Sequence, residues 1–240
     1  MKLIVIRKRR VISIVPIILC ITLIVCVAKY YVYKKTVATL LPGTTKVIVI
    51  DAGHGGVDPG AIGRNLGVLE KDVNLAIAKY LKEYLEQSGS IVIMTRKSDK
   101  GLYSLGGTLR QKKNEDLRNR KAIVKNSNAN IFITIHLNSF PQSQYYGAQT
   151  FYPKDNPTGK ILAEKIQGSL IEILDNNNSR VALSKEGIYL IKGLDIPTAL
   201  IECGFLSNPK EEKLLNSTQY QKKVAWAIYV GIQKYFEDNP

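Results

Sequence analysis

The only two histidines of the chain each end an apolar, β-branched run. His54 closes "VIVIDAGH" and His136 closes "FITIH", and both runs have the composition of buried strands. A single histidine after such a run is more often a core or turn residue than a metal ligand. Two of them, with no third histidine in the chain, favour one shared site.

A carboxylate is needed to complete a metal site of this kind. Catalytic zinc sites commonly take three ligands from His, Glu, Asp and Cys and leave a fourth position open. Glu70 is the first candidate, because the glycine-rich loop 57–69 can return the start of its helix to His54. A glutamate there could equally serve as favourable charge at a helix N-terminus. Asp51 and Asp72 compete for the third position, and the residues alone leave this choice open.

Glu202 is a second carboxylate that needs an explanation. It follows "IPTALI", and burial of an ionised carboxylate without a partner is costly. One interpretation is a salt bridge or backbone hydrogen bonds at the end of a strand. The functional interpretation is a general base that takes a proton from the attacking water and returns it to a departing amine.

Strand and helix signals alternate after Pro42, which predicts a single three-layer α/β domain with a twisted, mostly parallel sheet and helices on both faces. Residues 97–115 fit no period and predict a surface excursion, and 148–152 is a candidate edge strand. Strands are predicted at 46–51, 91–95, 131–135, 148–152, 187–191 and 198–201, and helices at 70–87, 116–126, 158–174 and 219–236.

Open α/β sheets bind ligands beyond the carboxyl ends of their strands. We therefore expect His54, His136 and Glu202 to share one rim if their strands are parallel neighbours.

The N-terminus predicts export. "RKRR" at residues 7–10 precedes an apolar run at 11–28, and at 1.5 Å per residue such a run reaches roughly 27 Å, enough to cross a bilayer core. The basic cluster favours the cytoplasmic side, which places the rest of the chain outside. A cleaved signal peptide ending at "CVA" (26–28) is the alternative. The expected organisation is a basic stretch and membrane anchor at 1–28, a linker at 29–45 and a catalytic domain at 46–240.

Charge and cysteine content narrow the possible functions. The formal net charge is +14, but residues 1–40 hold eight Lys/Arg and no acidic residue, so the domain itself is only mildly basic. It lacks a Lys/Arg stripe interleaved with aromatics, and we expect no nucleic-acid partner. Cys20 and Cys26 lie in the apolar run, which leaves Cys203 alone and allows no disulfide framework. Cys203 is a rival nucleophile, although no cation lies near it in sequence to lower its pKa.

Several motifs in order resemble one family. "DAGHGG", "EKDVNLAIA", "RNRKAIVKNSNANIFITIHLNS", "GAQTFY" and "IPTALIECGFLSNPKEEKLL" are similar to the zinc-dependent N-acetylmuramoyl-L-alanine amidases of type 3, over about residues 46–237. The resemblance implies hydrolysis of the amide between muramic acid and the L-alanine of the peptide stem in peptidoglycan. It implies that His54, Glu70 and His136 bind Zn²⁺ and that Glu202 is the catalytic glutamate.

The segment "SRVALSKEGIYLIKGLDIPTALIECGFLSNPKEE" is similar to the CwlD-type sporulation members of this family. That likeness implies a spore former, removal of stems from cortex muramic acid, and muramic-δ-lactam formation with a downstream deacetylase. An accessory protein is a further candidate partner, besides peptidoglycan and the membrane. Leu137 departs from the small residue that many relatives carry after the histidine. The alternatives are a cysteine hydrolase using Cys203, a non-catalytic wall-binding module and a zinc carboxypeptidase.

Overall fold

The computed structural model of the 240-residue chain describes the backbone of residues 8–38, 41–104, 106–174 and 177–239. Side chains are described over the same ranges except 8–15 and 32–38. Arg7 of the basic cluster and the side chains of the first part of the predicted anchor therefore lie outside the described residues. The chain divides into two compact units, Met1–Leu41 and Pro42–Pro240.

The first unit contains one helix, α1 (Lys8–Ala38), which carries Pro16 inside it. It includes residues 29–38, the first part of the predicted linker. In the described part of the chain, no helix is both long and apolar enough to cross a membrane.

The second unit is built on one mixed sheet. The strands assigned within the described residues are β1 (Val47–Ala52), β2 (Ile91–Met94), β3 (Ile131–Asn138), β4 (Gln149–Pro153), β5 (Leu183–Lys185) and β6 (Thr198–Phe205). Their order is β2-β1-β3-β6-β4-β5, and all neighbours pair in parallel except β4 with β6. The predicted parallel neighbourhood of β1, β3 and β6 is confirmed, and their carboxyl ends meet at one rim.

Helices cover both faces of the sheet, as predicted. They are α2 (Glu70–Gln87), α3 (Leu109–Lys125), α4 (Pro157–Leu174), α5 (Pro209–Leu215) and α6 (Thr218–Asp238). Apolar residues of α2, α4 and α6 bury one face of the sheet in the larger core. Val124 of α3 and Leu190 bury the other face against Val49, Phe132 and Leu200 in a smaller core. Phe132 of β3 and Leu200 of β6 belong to this smaller core, and His136 and Glu202 lie on the same face of their strands, before the register shift at Asn138.

Two predicted strands differ from the structure. Residues 187–191 form an irregular stretch that ends in a turn, and the strand of this region is β5, a few residues earlier. Leu190 and Ile191 are apolar because they cover the sheet as part of the smaller core, and not because they alternate in a strand. β4 lies between β6 and β5 and is not an edge strand.

The predicted excursion at 97–115 is partly helical. α3 begins at Leu109 and not at Asp116, because Thr108 and Gln111 form a capping box that starts it earlier. The short helix α5 was not predicted. Its N-cap is Asn208, whose side chain accepts hydrogen bonds from two backbone N–H groups of the first turn.

Candidate metal centre

The two histidine rings meet at the carboxyl ends of β1 and β3. His54 follows the end of β1 in the left-handed backbone conformation, with φ at 64°. The neighbouring Gly53 donates its N–H to the Ile135 carbonyl at 3.0 Å. A Cβ atom on Gly53 would overlap the ring of His136. The imidazole centroids lie 5.0 Å apart at an angle of 82°, and this approach requires glycine at position 53.

Glu70 completes the cluster from the first residue of α2. Its side chain is 5% exposed, and Oε1 lies 3.1 Å from His54 Nε2 and 3.0 Å from His136 Nδ1. One ligand atom from each of these three residues lies within 4.8 Å of the others, so the group could hold a metal ion. The residues chosen from the sequence are therefore brought together in space.

The Glu70 carboxylate is fixed by hydrogen bonds from its surroundings. Oε2 accepts from the Ala61 N–H at 2.8 Å, and Oε1 accepts from the Leu137 N–H at 3.0 Å. Gly60 has φ at 69°, and a Cβ there would lie 2.6 Å from Glu70 Oε2. Burial alone would raise the pKa of Glu70, but hydrogen bonds with His136 and His54 and the charge of these rings hold it well below its usual value. Glu70 is thus an ionised ligand candidate and not only a charge at a helix end.

Asp58 orients the other nitrogen of His54. His54 Nδ1 lies 2.9 Å from Asp58 Oδ2, and Lys113 Nζ lies 2.8 Å from Asp58 Oδ1. Burial lowers the pKa of His54, but hydrogen bonds with Asp58 and Glu70 outweigh it and raise the pKa to about 9. A carboxylate on the far nitrogen is a common partner of a metal-binding histidine. Sequence reasoning missed Asp58, although its spacing of four residues from His54 in "HGGVD" was a usable signal.

Of the competing carboxylates, Asp51 is engaged in other hydrogen bonds and Asp72 is exposed to solvent. Asp51 is buried and accepts hydrogen bonds from Thr95 at 2.6 Å and from Thr134 and Arg120, each at 2.7 Å. Burial would raise the pKa of Asp51, but Arg120 keeps it below its usual value. Asp72 is exposed on α2. Neither belongs to the cluster of potential ligands found among the described residues.

Arg120 of α3 holds the end of β1 beneath the cluster. Its guanidinium is 1% exposed and donates to the Ala52 carbonyl at 2.7 Å and to the His54 carbonyl at 2.6 Å. Asp116, one turn earlier on α3, accepts from Arg120 Nε at 2.6 Å. Arg120 was not predicted, because its bonds to backbone carbonyls leave no periodic pattern in the sequence.

Glu202 lies beside His136 on the neighbouring strand. The two are Cα partners in the parallel pairing of β3 with β6. Glu202 is 9% exposed, and its Oε2 is buried with no hydrogen-bond partner among the described residues. Burial raises the pKa of Glu202, although His136 opposes the shift. The carboxylate borders a cavity of about 300 Å³ that both histidines also line, so it faces the space next to the cluster.

Cys203 lies on the opposite side of β6. It is completely buried in the larger core, and its Sγ lies 3.9 Å from the Ile201 carbonyl. Burial raises the pKa of the thiol well above its usual value. A nucleophilic cysteine needs a lowered pKa and access to substrate. The geometry therefore gives no support to a cysteine hydrolase.

The donor set fits zinc. Two imidazoles and one carboxylate are a known set of protein ligands for catalytic Zn²⁺. They come from the β1 loop, β3 and α2, and Gly53 and Gly60 leave just enough room for the rings and the carboxylate. The buried carboxylate of Glu202 stands alongside them.

The family model described as N-acetylmuramoyl-L-alanine amidase matches residues 48–234. The chain belongs to this family. The amidase is 45% identical over 200 residues to the germination-specific N-acetylmuramoyl-L-alanine amidase of Bacillus subtilis (strain 168), with 83% of each chain covered.

Solved structures agree with this assignment. The CwlD amidase of Clostridioides difficile, solved in complex with the GerS lipoprotein, matches with a TM-score of 0.80 and 55% identity. The match covers 81% of the present chain and all of that one. The catalytic domain of CwlV from Bacillus (Paenibacillus) polymyxa var. colistinus matches with a TM-score of 0.67 and 31% identity, over 80% and 99% of the two chains. The protein is thus a hydrolase of the amide between N-acetylmuramic acid and L-alanine in peptidoglycan.

Proposed function

We propose that the amidase depends on zinc held by His54, Glu70 and His136, and that Glu202 is its general acid and base. The observation that carries this proposal is the convergence of three donor atoms within 4.8 Å beside a buried carboxylate. The carboxylate oxygen Oε2 of Glu202 is buried and has no hydrogen-bond partner among the described residues, so no group of the protein there competes for its proton.

The metal supplies Lewis acidity toward the amide carbonyl and the attacking water. Glu202 accepts a proton as the water oxygen bonds to the lactyl carbonyl carbon. It then gives that proton to the alanine nitrogen as the C–N bond breaks, leaving a muramic acid carboxylate and a stem peptide with a free amine. The raised pKa of Glu202, which burial causes, suits a group that must both accept and return a proton.

His54 is held for this task by a chain of contacts with its ring and its backbone. Asp58 fixes its Nδ1, Lys113 holds Asp58, and Arg120 binds its carbonyl. These contacts keep Nε2 directed at Glu70. They are positioning residues for the ligand set.

We further propose that the amidase acts on spore cortex, where removal of stems precedes formation of muramic-δ-lactam by a deacetylase. The 45% identity to a germination-specific amidase supports this role. The CwlD amidase was solved with the GerS lipoprotein, and we propose a lipoprotein of that kind as an accessory partner here. A strain lacking its own germination-specific amidase should regain muramic-δ-lactam in its cortex when this chain is expressed during sporulation. No lactam despite soluble, zinc-loaded protein would contradict the cortex role.

We also propose that the domain is exported and that residues 11–28 serve as its anchor or as a cleaved signal peptide. The support is the basic cluster that precedes this apolar run. Protease added to intact protoplasts should degrade the domain. Protection of the domain while the membrane is intact would contradict export.

The direct test of activity uses the full chain and purified peptidoglycan, with and without zinc. Mass spectrometry should find whole stem peptides with a new N-terminal L-alanine only when zinc is present. Release of free D-alanine would instead indicate a carboxypeptidase, and no release would indicate a wall-binding module. Thiol alkylation should leave stem release unchanged, because Cys203 is buried.

A further inference from the structure

We propose that Lys185 forms a carboxylate-binding subsite next to Glu202 and recognises an acidic residue of the peptide stem. This inference rests on the proposed function, because it takes Glu202 as the group that protonates the departing amine. It makes Lys185 a specificity-determining residue.

Lys185 lies in the same cavity as the candidate catalytic groups. The cavity of about 300 Å³ is lined by His54, His136 and Glu202 and by apolar residues such as Ile188 and Leu190. Among its described lining residues, Lys185 supplies the one lysine or arginine side chain. An anionic group entering this space would meet its positive charge there.

The Lys185 ammonium is held near Glu202 by charge attraction and makes no hydrogen bond to its carboxylate. Its Nζ lies 3.9 Å from Glu202 Oε1, which is beyond hydrogen-bond distance. The same Nζ lies 4.4 Å from the centroid of the Phe151 ring, a cation–π contact that holds it over β4. Lys185 is the last residue of β5 and pairs with Pro153, so its backbone is fixed by the sheet. Its side chain is 39% exposed and keeps its three donors available to a ligand.

The reaction places an acidic group within reach of this lysine. Glu202 must approach the alanine nitrogen, so the leaving peptide lies on the Glu202 side of the cleft, where Lys185 stands. The residue after alanine begins about 3.8 Å further along the peptide. In peptidoglycan stems the second residue is glutamate or its amide and the third is often a diamino acid with its own carboxylate. Lys185 can therefore distinguish a free carboxylate from an amide by a charge-assisted hydrogen bond.

A neighbouring lysine provides a matched control. Lys154, which directly follows β4, pairs with Glu186 at 2.7 Å, and both side chains are more than 60% exposed. It carries the same charge on the same edge of the sheet but does not line the cavity. Lys154→Met therefore removes a charge without touching the proposed subsite.

The experiment compares full-length, zinc-loaded wild type, Lys185→Met, Lys185→Arg and Lys154→Met on three muropeptide substrates. One substrate has free carboxylates, one is amidated at the second stem residue and one is amidated at the third. Wild type should prefer the free substrate over one of the amidated forms by about tenfold in kcat/KM, the order expected for a charge-assisted hydrogen bond. The less favoured amidated substrate identifies which carboxylate Lys185 binds.

Lys185→Met should raise KM on the free substrate about tenfold, leave kcat nearly unchanged and abolish the preference. Lys185→Arg should keep much of the preference for the free substrate, and Lys154→Met should match wild type in KM, kcat and preference. The proposal would be overturned if wild type cleaved all three substrates equally. It would also be overturned if Lys185→Met lowered kcat but left KM and the preference unchanged, because Lys185 would then act only as a partner of Glu202.

A binding measurement keeps this proposal separable from the proposed function. Titration of the free tripeptide product and its amidated forms into the same proteins reports the subsite without turnover. If no substrate loses its stem, the proposed function fails, and the titration alone then decides whether Lys185 binds a carboxylate of the stem. Weaker binding of the free tripeptide to Lys185→Met supports the subsite, and equal binding to wild type and Lys185→Met overturns it.

Discussion

His136 and Glu202 are Cα partners on the adjacent parallel strands β3 and β6, so their side chains project from the same face of the sheet. This register places a candidate metal ligand and a candidate proton acceptor side by side at the rim. Cys203, one residue later, projects to the opposite face and is buried in the larger core. A shift of one residue in this pairing would exchange these positions, so the parallel register itself builds the site.

Replacement of Glu70 by Ala should abolish tight zinc binding, because it removes one of three converging donors. Asp72→Ala is the matched control, since it removes an exposed carboxylate from the same helical turn. Metal content after dialysis and the melting temperature with and without zinc measure the effect. Zinc should raise the melting temperature of wild type and Asp72→Ala but not of Glu70→Ala, because a ligand that binds the folded state stabilises it. Unchanged zinc content in Glu70→Ala, with loss in Asp72→Ala, would reverse the assignment.

Gly53→Ala should impair metal binding without unfolding the protein, because the added Cβ would overlap the His136 ring and displace it. Gly168→Ala is the control. Gly168 lies on α4 with open space around its Cβ position, so alanine there should stabilise the protein by up to about 1 kcal/mol. Zinc affinity and denaturant unfolding of both variants check this pair. Wild-type zinc affinity in Gly53→Ala would show that the ring has room to move.

The common location of His54, His136 and Glu202 could be predicted from the sequence because each follows an apolar strand-like run, whereas the residues alone left Glu70 in competition with Asp51 and Asp72. Apolar runs that finish in His54, His136 and Glu202 belong to parallel neighbours, and parallel strands end at one rim. The start of α3 could not be predicted in the same way, since "LRQKKNE" is polar and lacks an apolar stripe. The turn region 187–191 was mistaken for a strand because burial against a sheet and burial within a sheet select the same residue types.

Contacts beneath the site could not be predicted because they join a side chain to distant backbone. Arg120 donates to the carbonyls of Ala52 and His54, which lie more than sixty residues earlier in the chain. Neither hydrogen bond requires a particular side chain at Ala52 or His54, so the sequence pattern does not indicate it. Lys185 borders the cavity as the last residue of β5, whereas the sequence predicts the strand of this region at 187–191. These positions depend on tertiary packing and not on local periodicity.

Arg120→Met should destabilise the domain by about 3–5 kcal/mol, because it leaves the buried carboxylate of Asp51 without its cation. Arg118→Met, on the exposed side of α3, should change stability little. Urea unfolding of the two variants measures the difference. Equal stability of Arg120→Met and wild type would show that Thr95 and Thr134 alone satisfy Asp51.

Zinc binding should release a proton from His54 near neutral pH. The pKa of His54 is raised to about 9 in the metal-free protein, so the ring is protonated at pH 7, whereas a metal ligand must be neutral. Zinc affinity should therefore increase as the pH rises toward 9. A raised folded-state pKa also means that the stabilisation from His54 in the metal-free protein is present at low pH and is lost as the pH rises through about 9.

Calorimetry in buffers of different ionisation enthalpy counts the released protons. Asp58→Asn removes the carboxylate at Nδ1, lowers the pKa of His54 and should reduce proton release at pH 7. Asp155→Asn changes an exposed carboxylate and serves as the control. The same proton count in Asp58→Asn and wild type would contradict the role given to Asp58.

In the mechanism that we propose, Glu202 moves the proton while His54, Glu70 and His136 hold the metal. The most direct test measures zinc content and stem release together in Glu202→Gln, with Glu186→Gln as the control at an exposed position. Glu202→Gln keeps the shape of the side chain but not its basicity, so turnover should fall by about 10²–10⁴-fold while zinc content stays equal to wild type. Glu186→Gln should match wild type in both measurements. A folded, zinc-loaded Glu202→Gln variant that releases stems at the normal rate would contradict the account.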